Sequence, residues 1–296
     1  MLTLAQAEIG GFSSLEYDLL QRAALIGSVY GVLVLLGLII NVVFVVRWMR
    51  RPPPMRHAVN RLLGWPWDGH DVRILLIVLL SGFLAAAFAR GAWLRLTEGW
   101  GMEAASRLVL LQSLVFHGLG LVAVALLLWR RRRAWRDAFG MDLFAAPLDV
   151  VKGLVALLGV LPALLLATVL FHLFLQLVGH QPSLQEVAFA IADEKNRWMR
   201  AYFLALAVGL APLFEEIIFR GLLLPVLARR YGVWAGLLVT SFLFAIIHGH
   251  LPSFVTLFGL SMALGAAYVY TGSLTVPVAM HAIFNAITTA ILLSIS

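Results

Sequence analysis

The stretch Ala211-Pro-Leu-Phe-Glu-Glu-Ile-Ile-Phe-Arg-Gly221 places three ionisable residues inside an apolar segment that begins near Ala201. These residues are Glu215, Glu216 and Arg220. A charge at the centre of a bilayer costs roughly 2.5–3.5 kcal/mol on insertion scales, so such residues usually face the interior of a helical bundle and carry function. Three of them within two helical turns predict a buried polar site, around which the rest of the chain is arranged.

Helix geometry separates the two adjacent carboxylates. Glu216 and Arg220 stand at positions i and i+4, so they share a helix face and can form an ion pair. Glu215 is rotated about 100° away, because a helical turn holds 3.6 residues. The spacing therefore predicts a structural pair of Glu216 and Arg220 beside a second carboxyl group. That group is available for acid–base chemistry or, if protonated, for a hydrogen bond to a backbone carbonyl.

Two later apolar segments carry further polar pairs at helical spacing. Phe244-Ala-Ile-Ile-His248 places an aromatic ring and a histidine at i and i+4, and His281-Ala-Ile-Phe-Asn285 does the same for a histidine and an amide. Either pair alone is compatible with helix packing, since polar side chains hydrogen-bond across helices in membranes. The ordered set Glu-Glu-x-x-x-Arg, Phe-x-x-x-His and His-x-x-x-Asn resembles the CPBP family, which holds the type II CAAX prenyl endopeptidases and the bacteriocin-processing or Abi proteins. The resemblance covers Ala201 to Asn285, about a third of the chain.

This resemblance implies hydrolysis of a peptide bond within the membrane. The side chains that it assigns to the reaction are Glu215, Glu216, Arg220, His248, His281 and Asn285. Glu215 and His248 would hold and deprotonate a water molecule, and His281 and Asn285 would donate hydrogen bonds to the developing oxyanion. Arg220 would keep its partner carboxylate ionised and so fix the geometry of the pair.

Zinc is the cofactor that the resemblance leaves open. Glu215, His248 and His281 form a two-histidine, one-glutamate set of the kind that holds catalytic zinc, and the family is described both as metalloproteases and as glutamate proteases. We expect catalysis without a metal. Other intramembrane protease signatures are missing from the sequence: it has no His-Glu-x-x-His, no Gly-x-Ser-Gly and no Gly-x-Gly-Asp.

The composition predicts an all-α, polytopic membrane protein. Of the 296 residues, 62% are hydrophobic and 12% are charged, and the mean hydropathy is +0.95. Soluble domains carry about 25% charged residues. The chain has no cysteine, which excludes disulfides and thiolate metal ligands.

Eight apolar runs are long enough, or nearly so, to cross a bilayer, which takes about 20 residues. They are Ala23–Val46, Ile74–Ala89, Leu108–Trp129, Val151–Val178, Ala201–Leu227, Trp234–Ile247, Phe254–Tyr270 and Val276–Ile295. We interpret residues 1–200 as an N-terminal transmembrane region of about four spans without a motif, and residues 201–296 as the catalytic transmembrane region. Residues 1–22 lack the pattern of a cleaved signal peptide.

The arginines indicate orientation. Basic residues are concentrated in alternate loops, around Arg50–Arg61 and Arg130–Arg136, with Pro52-Pro53-Pro54 expected to break the helix in the first of these loops. Because basic loops stay in the cytoplasm, we predict an integral cell-membrane protein with the N-terminus outside. The arginines then serve as anchors at the membrane surface, which argues against nucleic acid as a partner. The expected partners are the bilayer and a membrane-anchored protein or peptide substrate.

A non-enzymatic membrane protein, such as a proton-coupled transporter or an immunity scaffold, is the alternative. Intramembrane Glu, His and Arg also build proton relays. Transporters, however, are commonly built from two related halves. Here the polar residues that form motifs all lie in the C-terminal half, which favours one localised site.

Overall fold

A computed structural model describes residues 14–50, 55–96, 102–180, 183, 185, 188, 191–192 and 194–295. Within these residues the chain is helical and contains no β-strand. The helices are α1 (Ser14–Arg50), α2 (Met55–Leu63), α3 (Gly69–Leu96), α4 (Met102–Arg131), α5 (Trp135–Phe139), α6 (Ala146–Leu177), α7 (Arg197–Tyr231), α8 (Val233–Ile247), α9 (Phe254–Thr271) and α10 (Thr275–Ile295).

Seven of these helices are long and apolar enough to cross a membrane, and α8 is a shorter apolar helix of 15 residues. This confirms the predicted all-α bundle of about eight spans. The helices extend past several predicted spans; α3 begins five residues before Ile74, and α6 continues through Pro162 without ending there. Membrane helices tolerate an internal proline because neighbouring groups satisfy the freed carbonyl. The expected break at Pro52-Pro53-Pro54 lies outside the described residues.

One end of the bundle gathers basic side chains. Buried Asp71, in the first turn of α3, accepts hydrogen bonds from Arg130 (2.6 Å) and Arg131 (2.5 Å) at the end of α4. At the same end, Arg61 Nη2 donates to the carbonyl of Tyr270 in the last turn of α9, at 2.9 Å. These contacts show that the predicted basic loops meet at one end, which we call the basic end. Which side of the membrane it faces stays a prediction.

The start of α3 is fixed by a reciprocal cap at this basic end. Asp68 Oδ1 accepts from the backbone N–H groups of His70 and Asp71, both at 2.9 Å, while Asp71 Oδ2 accepts from the Asp68 N–H at 3.3 Å. The first four N–H groups of a helix have no partner within it, and such side chains satisfy them. The hydrogen bond from Asp71 N–H, aided by Arg131, holds the pKa of Asp68 below its usual range.

Helix α6 packs against α1, α9 and α10. Gly153 allows the close approach of α10, since a Cβ atom there would lie 2.8 Å from the carbonyl of Val276 and 3.1 Å from the methyl of Ala279. Small residues serve this purpose between membrane helices. Farther along α6, Leu157 and Leu164 pack in a core with residues of α9 and α10. This packing brings α6, from the N-terminal half of the sequence, against the helices that carry the motifs.

Candidate active site

Two wide helical turns flank the adjacent carboxylates on α7. The backbone is π-helical at Leu206–Leu210 and again at Ile217–Leu223, with regular α-helix at Ala211–Glu216 between them. Pro212, which lacks an N–H, interrupts the hydrogen-bond ladder at this point. Turns of this kind are rare in helices and occur frequently at functional sites. Glu215 and Glu216 therefore sit on a short stretch of α-helix whose register is shifted on both sides.

The aromatic neighbour of the carboxylates fixes α7 against α4. The ring of Phe214 packs edge-on against Phe116 and His117, with ring centroids 5.6 and 5.0 Å apart. Gly120 makes room for this ring: a Cβ atom at that position would lie 2.3 Å from Phe214 Cε2. His117 also bonds through Nδ1 to the carbonyl of Ser113 at 2.7 Å, so it is a packing residue.

The predicted pair of Glu216 and Arg220 is present and wholly buried. Arg220 Nη1 donates to Glu216 Oε1 at 2.6 Å, and the two side chains are 1% and 0% exposed. Arg220 Nη2 donates to the hydroxyl of Ser261 on α9 at 2.7 Å, and the guanidinium carbon lies 4.8 Å from the centroid of the Phe244 ring. Buried charges require a partner and further hydrogen bonds. The arginine obtains its charged partner from α7 and a further hydrogen bond from α9, and the ring from α8 covers it.

His281 connects the two carboxylates. Its Nδ1 lies 3.0 Å from Glu216 Oε1, and its Nε2 lies 4.0 Å from Glu215 Oε2. An ionised carboxylate only accepts hydrogen bonds, so Nδ1 carries the proton when Glu216 is ionised. In the neutral ring Nε2 is then an acceptor, and it becomes a donor only in the imidazolium form. The oxyanion role expected from the sequence therefore requires a protonated His281.

His248, like His281, bonds through Nδ1 and leaves Nε2 for the site. Its Nδ1 lies 2.6 Å from the carbonyl of Phe244, and since a carbonyl only accepts, Nδ1 is the donor. In the neutral ring Nε2 has a free lone pair, which suits an acceptor of a water proton. The Phe244 ring, fully buried, lies 4.7 Å from the His248 ring and 5.6 Å from the His281 ring and so separates the two histidines.

Asn285 stands one turn beyond His281 on α10. Its Nδ2 donates to the carbonyl of Ala207 at 2.8 Å, in the first π-helical turn of α7. An amide group has two N–H donors and a carbonyl acceptor, so one donor holds α10 to α7 and the other groups remain for the site.

These side chains meet at one cavity of about 380 Å³. Glu215, His248, His281 and Asn285 line it, whereas Glu216 and Arg220 lie behind His281 and do not. Glu215 is 23% exposed, and its Oε2 makes no hydrogen bond within the described part of the chain. Of the six residues predicted from the sequence, four thus border the cavity, and two support it from the bundle interior.

The cavity also has a wall that the motifs did not indicate. Thr168 and His172, one turn apart on α6, line it together with the start of α9. Thr168 shares a hydrogen bond of 2.6 Å with Thr256, and His172 Nε2 lies 3.0 Å from the carbonyl of Pro252. His172 thus connects α6 to the turn that precedes α9. The i, i+4 spacing of Thr168 and His172 was the one available signal that this face of α6 meets polar groups.

The zinc set considered above does not form in this arrangement. Within the described residues, no three histidine, aspartate or glutamate side chains are grouped so that they can hold one ion. His281 already uses Nδ1 on Glu216, and its Nε2 stands at 4.0 Å from Glu215. A histidine whose Nδ1 donates to a carboxylate can still bind a metal through Nε2, so catalysis without a metal stays a prediction.

Comparison with known proteins places residues 197–287 in the family described as type II CAAX prenyl endopeptidase, Rce1-like. The chain is also 39% identical over 77 residues to an uncharacterised 24.3 kDa protein of Escherichia coli, an alignment that covers 24% of this chain and 36% of that protein. The chain thus spans about a third of the length of this curated relative. No solved structure matches. The family match contains all six site residues and confirms the resemblance seen in the three motifs.

Proposed function

We propose that the protein is an intramembrane endopeptidase that hydrolyses a peptide bond of a membrane-anchored or C-terminal-tail substrate, using water activated by Glu215 and His248. The observation that carries the proposal is the convergence of Glu215, His248, His281 and Asn285, from three helices, on one cavity. Peptide hydrolysis needs a base for water and donors for the oxyanion, and these residue types supply both.

The nucleophile is a water molecule held between Glu215 and the Nε2 lone pair of His248. The water oxygen attacks the carbonyl carbon of the scissile bond, and one of its protons passes to the Glu215 carboxylate. The carbonyl oxygen becomes an oxyanion and accepts hydrogen bonds from the second N–H of Asn285 and from protonated Nε2 of His281. The carbon–nitrogen bond then breaks, and the proton on Glu215 moves to the leaving amine.

Glu216 and Arg220 act through His281. Ionised Glu216 accepts from Nδ1 and so fixes the orientation of the ring that donates to the oxyanion. Arg220 keeps that carboxylate ionised inside the bundle. In this role both are positioning residues, and neither touches the substrate.

The test compares membranes of cells that produce the wild type with membranes of cells that produce Glu215→Gln at equal level. We expect a polypeptide to accumulate uncleaved in the variant and its fragments to be lost, as measured by terminal-peptide mass spectrometry. Ser241→Ala is a matched control, because Ser241 is buried on the same bundle but lies outside the cavity lining. Identical peptide profiles for wild type and Glu215→Gln would refute the protease assignment and favour a non-enzymatic role.

A further inference from the structure

We propose that the cavity opens on the extracytoplasmic side of the membrane, and that its substrate is an internal, uncharged segment of a membrane-anchored polypeptide exposed on that side. The part of the proposal that concerns the substrate rests on the proposed proteolytic function, whereas the part that concerns the position of the cavity does not depend on it. It follows from where the cavity lies along the helices and from the distribution of the arginines.

The cavity lies toward the end of the bundle opposite the basic end. On α6 its lining residues begin at Thr168, about 33 Å from the start of the helix and about 14 Å from its end, at 1.5 Å per residue. On α10 they extend to Leu292, close to the end of that helix. His248 caps the end of α8, and Pro252 precedes α9. The lining residues of α6, α8 and α9 therefore lie in the parts of these helices that are remote from the basic end. Those of α7 and α10 extend toward the same end from Glu215, at the middle of α7, and from His281, in the second turn of α10.

The connection between α6 and α7 borders the cavity at the same end. Ser183 and Ile191 belong to this connection and both line the cavity. Arg22 near the start of α1 donates to the carbonyl of Ser294 at the end of α10, at 3.1 Å, which places the first turns of α1 at this end as well. The cavity thus lies next to the connecting segment and far from the arginine-rich loops.

The arginines assign the basic end to the cytoplasm. The basic end holds the described residues Arg47, Arg50, Arg61, Arg73, Arg130, Arg131, Arg132, Arg133, Arg136, Lys152, Arg229 and Arg230. The opposite end has fewer basic residues: Arg22 near the start of α1, Arg90, Arg95 and Arg107 around the connection between α3 and α4, and Lys195, Arg197 and Arg200 around the start of α7. Lysine and arginine in short loops set orientation, and acidic residues such as Asp71 contribute little. With the basic end inside, the cavity faces outward.

The cavity lining defines the chemistry of the segment that enters. Among the described lining residues there is no lysine or arginine, and the ionisable groups are Glu215 and three histidines, His172, His248 and His281. Of the arginines on α7 that flank the cavity, Arg220 is paired with Glu216 behind His281, and Arg200 donates to the backbone carbonyl of Glu194. A free C-terminal carboxylate would meet no fixed cation here and would face the Glu215 carboxylate. An internal segment without acidic residues fits this lining better than the charged end of a short tail.

The absence of cysteine from the sequence makes a direct test possible. Single substitutions Ser183→Cys, at the exposed rim of the cavity, and Ala134→Cys, exposed between α4 and α5 at the basic end, form a matched pair. A membrane-impermeant maleimide is applied to intact spheroplasts and to inverted vesicles. We expect at least tenfold more labelling of Ser183→Cys in spheroplasts than in inverted vesicles, and the reverse for Ala134→Cys. Buried Ser241→Cys measures labelling of unfolded protein.

Labelling of Ser183→Cys only in inverted vesicles would overturn the proposal, as would equal labelling from both sides. Because labelling requires no activity, these outcomes are separate from the fate of the proposed function. If labelling follows the expectation and Glu215→Gln changes no peptide profile, the placement stands and the protease assignment fails. If substrates are found and their cleaved bonds lie in cytoplasmic tails or beside a free C-terminus, the protease assignment stands and the proposed internal, uncharged substrate segment is wrong.

Discussion

The two adjacent carboxylates offer the sharpest test of the site, because their surroundings differ so strongly. Glu216→Gln keeps the size of the side chain but removes the charge that Arg220 contacts at 2.6 Å in a fully buried position. It also removes the anionic acceptor of His281 Nδ1. Breaking a buried pair by removing one partner costs about 3–5 kcal/mol. Since each 1.4 kcal/mol is a factor of ten, the ratio of folded to unfolded protein should fall by roughly two to three and a half orders of magnitude.

Glu215→Gln should behave in the opposite way. Glu215 is partly exposed to the cavity, and its Oε2 has no hydrogen-bond partner within the described residues. The amide therefore leaves no buried cation unpaired, and we expect a loss of less than about 1 kcal/mol, as for substitutions that break no network. Turnover should be abolished, because an amide cannot take the proton of the attacking water.

The assay is thermal unfolding in detergent beside turnover of any cleaved substrate, measured for both variants. The double variant Glu216→Gln/Arg220→Met is the control, because replacing both members of a buried pair by neutral groups is far milder than removing one. It should recover much of the stability lost in Glu216→Gln, without recovering full turnover. The reasoning is refuted if Glu215→Gln is the unstable variant and Glu216→Gln is stable but inactive. An active Glu215→Gln would refute the proposed mechanism.

Three further outcomes are expected. Purified protein should hold no stoichiometric zinc and keep its activity in a strong chelator. If instead zinc and activity are lost together, and added zinc restores the activity, then Glu215, His248 and His281 are metal ligands. Reporter fusions in the loops around Arg50–Arg61 and Arg130–Arg136 should report the cytoplasm, and finding either loop outside would overturn the topology. Gly120→Ala should lower the unfolding temperature through about 1–3 kcal/mol of overpacking against Phe214, whereas Gly118→Ala, whose Cβ meets nothing within 4 Å, should not; equal effects would contradict the proposed packing of α4 on α7.

The sequence was sufficient for the spans and for the ion pair of Glu216 and Arg220, for one physical reason. In a bilayer each ionisable residue is costly, so the few that remain inside apolar segments point to function. Glu215, Glu216 and Arg220 stand out on this ground alone, and the spacing of Glu216 and Arg220 correctly predicted their ion pair. The same contrast between apolar runs and arginine-rich loops located eight helices.

The contributions of α6 and the bonding of His281 could not be predicted in this way. Thr168 is a polar but uncharged residue in an apolar helix, and its place in the cavity depends on how α6 packs against α9. His281 Nδ1 bonds to Glu216 because helix α10 approaches α7 there. Spacing within one segment of the sequence does not show how closely two helices approach. The π-helical turns of α7 likewise depend on tertiary packing, since propensity is a weak guide wherever tertiary context decides.

The charges of the site explain how acid–base chemistry can proceed in so apolar a setting. Arg220 and Glu216 neutralise each other at 2.6 Å, and in the proposed mechanism Glu215 and His281, 4.0 Å apart, carry one proton between them. With the proton on His281 the cluster is neutral, and with the proton on Glu215 it is neutral again. In the proposed reaction Glu215 gains a proton as the oxyanion forms, so the sum is again zero. Because an unpaired charge is expensive away from water, a cycle that never changes the net charge needs no reorganisation of the surrounding helices. Removing Arg220 alone breaks this balance even though Arg220 lies outside the cavity. We therefore expect Arg220→Met to lose both stability and turnover. The double variant Glu216→Gln/Arg220→Met should regain stability but not turnover.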